Sequence, residues 1–498
     1  MKIKSPSRAL CLLVAIFAFS TTVAVGDPLP PSEDFSPTPD LACLNGSDHP
    51  EAIQGRVPAA DFLGDHPRAA DGYTCNATQV FHIGSAQGGT GSSGGYRVYR
   101  YVDNHGRVCA FYDTTLLFPV NAKAGGTELT GVWVLSISEP GADPHAPIHT
   151  ASLLAPGMQS PHESFSLNVA RGLLGAVFAN PAFYHGQFDL YDASEDCRTP
   201  QLKSSLPMGV LGHEGSFTPD GNTYYASSLY GHTLTAIDTS DTSLTKILWT
   251  STNWNVHGMN LSDDGNLLYF ADLAGNGAES LGTIAGSATK GLTILDVSEI
   301  QRVPRVINPQ VGLDQVVSHL TWTRVGTPQT AIPITVGSTH YLVEIDEFGG
   351  VNNVGAARII NVQDPGHPAV VSNMRLAVNN TQDDPSQKLD PNATNSLGGY
   401  RGHYCSVPTE VNPKIVACSF ILSGLRVFDI SDLEHPVEIA YFNQPSTVPQ
   451  PGTTVAYGAQ GSYAMSQPAF DVANHQIWYS DGNSGFYAVH INDSVWPS

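Results

Sequence analysis

GLRVFDISDLEHPVEIAYF, residues 424–442, carries the plan of the whole chain. Apolar side chains alternate up to Asp429, Ser431 and Asp432 open a turn, Pro436 ends it, and a second apolar run follows. A period of two is the mark of a half-buried strand, and Asp, Ser and Pro between two such runs are turn chemistry. The plan returns in GLTILDVSEIQRVPRVI around Asp296, FDLYDASEDCRTPQL around Asp192, LTAIDTSDTSLTKILW around Asp238 and HYLVEIDEFG around Asp346. VWVLSIS puts Ser136 at the same place, and GFYAVHIND puts His490 there.

Seven units of several short strands, each too small to bury two faces alone, must stack on their neighbours and close into a ring. The expected fold is therefore all-β, a seven-bladed β-propeller of four-stranded antiparallel blades. Within a unit, an inner strand comes first, then a hairpin turn such as Pro219-Asp220-Gly221 or Asp263-Asp264-Gly265, where glycine permits a positive φ. The Asp-bearing strand is third. The last unit stops after its third strand, so a segment around Gln79 to Ile83 is expected to supply the missing edge.

Leu425-Arg426-Val427-Phe428-Asp429-Ile430-Ser431-Asp432 and Leu292-Thr293-Ile294-Leu295-Asp296-Val297-Ser298 resemble the repeat of the LVIVD family of exported β-propellers. With the weaker echoes, the resemblance covers Gly131 to Ser498. It implies architecture and export, and carries no catalytic residues. The repeated Asp and Ser are expected to fix their turns by side-chain-to-backbone hydrogen bonds.

The ends of the chain fit the same picture. Residues 1–26 read as a secretory signal: Lys2, Lys4 and Arg8 precede a short apolar stretch from Leu10 to Phe19, with small residues near Ala24 and Gly26. No later apolar run has membrane-spanning length, so no membrane insertion is expected. Residues 27–72, with Pro28, Pro30, Pro31, Pro37 and Pro39, suggest an extended arm, and 73–498 the propeller. Gly84 to Gly95 reads as a loop. The chain has 45 acidic against 23 basic residues, a formal charge of −22, which makes nucleic acid and anionic membranes poor partners. Six cysteines remain beyond the signal, an even number that suggests disulfides in an extracytoplasmic, secreted protein. Cys405 and Cys418 flank a hairpin and are expected to pair; Cys43, Cys75, Cys109 and Cys197 allow three pairings.

Histidine marks one position of the repeat: His162, His213, His257, His319 and His403 each precede an inner strand. Strand starts share one face of a propeller, so these imidazoles are expected to converge at one mouth of the central channel. The first unit has no His near Tyr96, and the last has Ser466 or Gln467. Glu163 and Glu214 follow two of the histidines, and Tyr400 and Arg401 stand beside His403; these four are candidate ligand-binding residues. Long connections before inner strands, about Asn373 to Tyr400 with Asp383, Asp384 and Asp390 and about Gln444 to Ser462, would lie at the same mouth.

Three chemistries suit such a ring. It can line a channel with polar groups that hold water or backbone. It can bind copper, iron or zinc through neutral imidazoles, with carboxylates orienting the rings. It can transfer protons without a metal. No His-Glu-x-x-His helix, phosphate loop or Gly-x-Ser-x-Gly elbow occurs. The functional expectation is a binding or interaction protein for a small molecule or an extracellular protein. The alternative is a metal-dependent oxidase or hydrolase acting on a small molecule, on the pattern of histidine-ringed propellers such as carotenoid oxygenases and selenium-binding-protein-type thiol oxidases, whose family motifs this chain lacks.

Overall fold

A computed structural model describes residues 34–84, 94–114, 131–138, 147–179, 186–209, 211–228, 232–252, 254–274, 289–347, 355–380, 399–446 and 462–497. Residues 1–26, read above as a signal, most of the Gly84 to Gly95 loop, Asp383, Asp384, Asp390 and the central parts of the two long connections lie outside the described residues.

Seven antiparallel sheets form seven blades: six hold four strands each and one holds five. The inner strands are Val98–Val102, Ser166–Asn168, Gly215–Phe217, Val256–Leu261, Pro328–Val336, Gly402–Ser406 and Ala469–Asp471, in blades one to seven. The ring closes as the early segment was expected to close it. Ala77–Ile83 pairs with Gly485–Ile491, from Ala77 opposite Ile491 to Ile83 opposite Phe486, and completes blade seven. Apolar residues fill every gap between blades. Leu425 and Val427 of blade six, for example, pack with Ile477, Tyr479 and Val489 of blade seven. Each sheet thus buries both faces, which no isolated blade can do.

The repeated Asp does what its setting suggests. Asp192, Asp238, Asp296 and Asp429 each accept a hydrogen bond from the backbone N–H two residues on, at 2.8–3.0 Å. Gly221 and Gly265 take φ of +66° and +73° in their hairpins.

Blade five departs from the sequence reading. The strand ending at Asp346 is its second, Thr339–Asp346; the third is Ala357–Asn361. Asn361 takes the place of the repeat's Asp and accepts from the Gln363 N–H at 2.9 Å. Asp364 and His367 then mirror Asp432 and His435, each pair joined through His Nδ1 at 2.9 and 3.1 Å. Asp346 instead clasps the entry to the inner strand, accepting from Trp322 Nε1 and the Gly326 N–H.

The N-terminal arm is docked over residues 34–72. Val57, Phe62 and Ala69 are buried with residues of blades five and six, and Tyr73–Cys75 adds a fifth strand to blade six. The fully buried Arg426 holds it by ion pairs to Glu51 and to Glu438. Three disulfides join Cys43 to Cys75, Cys109 to Cys197 and Cys405 to Cys418. No helix among the described residues is long and apolar enough to cross a membrane.

Candidate metal centre

Inner strands enter the channel in register. Parallel bridges link Glu163 to Glu214 and Arg97 to Gln467, setting neighbouring blades level with one another. Equivalent entry positions therefore hold Tyr96, His162, His213, His257, His403 and Ser466, with Pro328 in blade five. Rings pack along this series: His162 lies 4.4 Å from His213 and His213 4.9 Å from His257, between ring centroids. Tyr96 stands between His162 and His403, at 4.6 and 5.4 Å. His162 is held at φ +51°, a left-handed conformation that costs a residue with a β-carbon about 1–3 kcal/mol.

The Glu163 carboxylate lies among the imidazoles. Its Oε2 is 3.0 Å from His213 Nε2, 3.4 Å from His257 Nε2 and 3.9 Å from His162 Nδ1, and its Oε1 is 3.1 Å from His403 Nε2. A second carboxylate, Glu347, approaches His403 at 3.3 Å and His257 at 3.7 Å. Backbone carbonyls fix two of the rings from behind: His257 Nδ1 faces the Pro328 oxygen at 3.0 Å and His403 Nδ1 the Met465 oxygen. When its Nδ1–H donates, neutral His257 turns a bare Nε2 lone pair to the axis, the arrangement usual for metal-bound histidine, and His403 reaches the same state on giving up its Nε2 proton.

Four donor atoms here are buried with no hydrogen-bond partner: His162 Nδ1, His213 Nε2, His403 Nε2 and Glu163 Oε2. Each orphaned atom costs about 1–3 kcal/mol. Burial holds His162 and His257 neutral, down to about 3 in both cases, with the neighbouring His213 opposing charge and Glu163 favouring it. Burial also opposes charge on His403, but Glu163 and Glu347 outweigh it and lift this imidazole to about 9. Burial raises Glu347 as well. The neutral imidazoles and the carboxylates converge on the axis and can hold a metal ion, which would displace the proton that His403 shares with Glu163 and Glu347.

One residue further along the same strands, a closed layer forms beneath. Arg97 binds Glu214, Gln467 and the Glu163 carbonyl, and its guanidinium lies over the Tyr404 ring. Tyr404 donates to Glu214 Oε1 at 2.6 Å, and the Met259 N–H donates to Oε2 at 3.0 Å. At Gly258 a β-carbon would come within 2.2 Å of the Gln329 carbonyl, so the close fit of blades four and five requires glycine there.

The structure thus brings together His162, His213, His257, His403 and Glu163. His319 is not among them. It lies on the fourth strand of blade four, Val316–Leu320, with Nδ1 bonded to Thr293 Oγ1 at 2.9 Å. The misplaced third strand of blade five had made it look like a strand entry. Glu214 faces the axis, but Arg97, Tyr404 and Met259 occupy its oxygens. Tyr400 turns away from the channel, with its hydroxyl on the Val57 carbonyl of the arm at 2.9 Å. Arg401 is buried near Glu347 and Tyr463. Glu347, Tyr96 and Arg97 were missed. An acidic residue straight after Asp346 was the visible signal for Glu347, and the blade-five register hid it.

No family model matches the chain, and no curated protein does. Among solved structures it is similar to a protein from Lactobacillus plantarum, at 12% identity and TM-score 0.47 over 77% of this chain and 92% of that one. It is similar to the hydrazine synthase of Kuenenia stuttgartiensis, at 10% and 0.45 over 81% and 97%. It is also similar to a periplasmic gluconolactonase of Pseudomonas aeruginosa, at 11% and 0.41 over 82% and 95%. The likeness is one of propeller architecture.

Proposed function

We propose that this is an exported, LVIVD-type β-propeller that holds a transition metal (copper, iron or zinc) on its axis and uses it to bind a small molecule. The observation that supports this most is the convergence of His162, His213, His403 and Glu163 donor atoms that are buried and unsatisfied together. His162, the most exposed of the ligands at 16% of its side chain, lies on the side away from the Arg97 layer and is the point of access. Three disulfides support an oxidising, extracytoplasmic setting.

A second reading, a metal-dependent oxidase or hydrolase, is favoured by the surplus of donors. Four imidazoles and two carboxylates are more donors than one four-coordinate ion takes, so those left unbound stay beside the ion to orient a reactant or move protons.

Metal analysis of the purified protein tests the proposal, with wild type compared against a His213→Ala/His257→Ala variant. Stoichiometric metal in the wild type and its loss from a variant with unchanged circular dichroism is the expected outcome. A wild type that stays metal-free after incubation with each of the three ions would overturn it.

A further inference from the structure

We propose that the axial cluster is built for two metal ions bridged by Glu163 and Glu347, and that its external ligand is an oxyanion spanning them. This rests on the reading of the axis as a metal centre and goes beyond it in nuclearity and ligand class.

The donors sort into two groups. Ligand atoms of His162, Glu163 and His213 lie within 4.8 Å of one another, and so do those of Glu163, Glu347 and His403; the groups share only Glu163. The sharing is divided by oxygen. Oε2 of Glu163 faces His162, His213 and His257, while Oε1 faces His403. Glu347 repeats the division, with Oε1 toward His403 and Oε2 toward His257. Both carboxylates therefore turn one oxygen to each group, as bridges do between ions about 3.5–4 Å apart. A single ion about 2.0–2.2 Å from every donor would draw all of them around one point. The observed grouping puts three imidazoles on one side of the two carboxylates and His403 on the other.

Charge identifies the ligand. Among the described residues, two divalent ions would face two carboxylates, Glu163 and Glu347. Glu214 adds nothing, because Arg97 meets its charge in the layer below. A buried surplus of positive charge needs an anion, and an oxyanion such as phosphate or a carboxylate can place one oxygen on each ion.

The test uses full-length protein stripped with a chelator and reloaded with zinc, with anomalous diffraction to locate the ions. Two axial peaks about 3.5–4 Å apart are expected, with one remaining in His403→Ala. Glu347→Gln, which keeps the shape of the side chain, should also hold one and serves if His403→Ala fails to fold. Inorganic phosphate should bind the two-ion protein and neither the stripped protein nor the one-ion variants. A single axial peak at saturation in the wild type overturns the two-ion arrangement while leaving the metal centre standing; no axial peak overturns the metal centre itself. Two ions without phosphate binding overturn the oxyanion assignment.

Discussion

Two of the regions where this propeller buries carboxylates treat them in opposite ways. Where the arm meets blade six, Glu51 and Glu438 close on Arg426, Gln54 donates to Glu438 at 2.7 Å, and the Tyr441 ring lies against the guanidinium. The region is complete as it stands. On the axis, Glu163 and Glu347 meet imidazoles, and buried atoms of His162, His213 and Glu163 are left without a hydrogen bond. The first is a structural clamp and the second is a site with a place for something from outside. The same contrast repeats along single strands: His213 belongs to the open layer, and Glu214, its neighbour, to the closed one.

Substitutions should separate these regions. Arg426→Ala leaves two buried carboxylates without their cation and should lower stability by about 3–5 kcal/mol in urea denaturation, with faster proteolysis of the arm. Metal should matter only at the axis. At a free concentration 100 times its Kd, an axial ion should stabilise the wild type by about 2.7 kcal/mol, and His213→Ala/His257→Ala should lose that increment while Arg426→Ala keeps it. Glu214→Gln should leave metal content unchanged and Glu163→Gln should reduce it, a difference that elemental analysis reads directly. In metal-stripped protein, His403 is raised above its ordinary value of 6.5 to about 9. Its contribution to stability is thus full below pH 6.5 and is lost as pH rises through 9. The stability difference between wild type and His403→Gln should shrink across that window. The smallest effect belongs to the turns: Asp429→Ala removes one acceptor from the Ser431 N–H and should cost about 1 kcal/mol, seen as a small shift in denaturation midpoint.

What could be read from the residues was local. The Asp-x-Ser turn, the strand alternation and the His before an inner strand each sit within a few residues, so four of five histidines were placed at strand entries and the closing strand was placed in blade seven. Blade five broke the reading because Asn361 makes the same turn as Asp while Asp346 ends a different strand. One shift of register displaced His319 and concealed Glu347. Other misses came from contacts between distant parts of the chain. Nothing near Tyr400 announces that its hydroxyl meets Val57, and nothing near Cys109 announces Cys197. The direction of a side chain at a propeller's axis depends on its six neighbours, which linear spacing does not contain.

The pairing of Ala77–Ile83 with Gly485–Ile491 has a consequence for biosynthesis. The strand that emerges early has no sheet to join until the last blade has been made. Until then it must stay unpaired and shielded from wrong partners. Completion of the circle is therefore a late event, and Tyr96 of blade one meets His403 of blade six across the join that it makes.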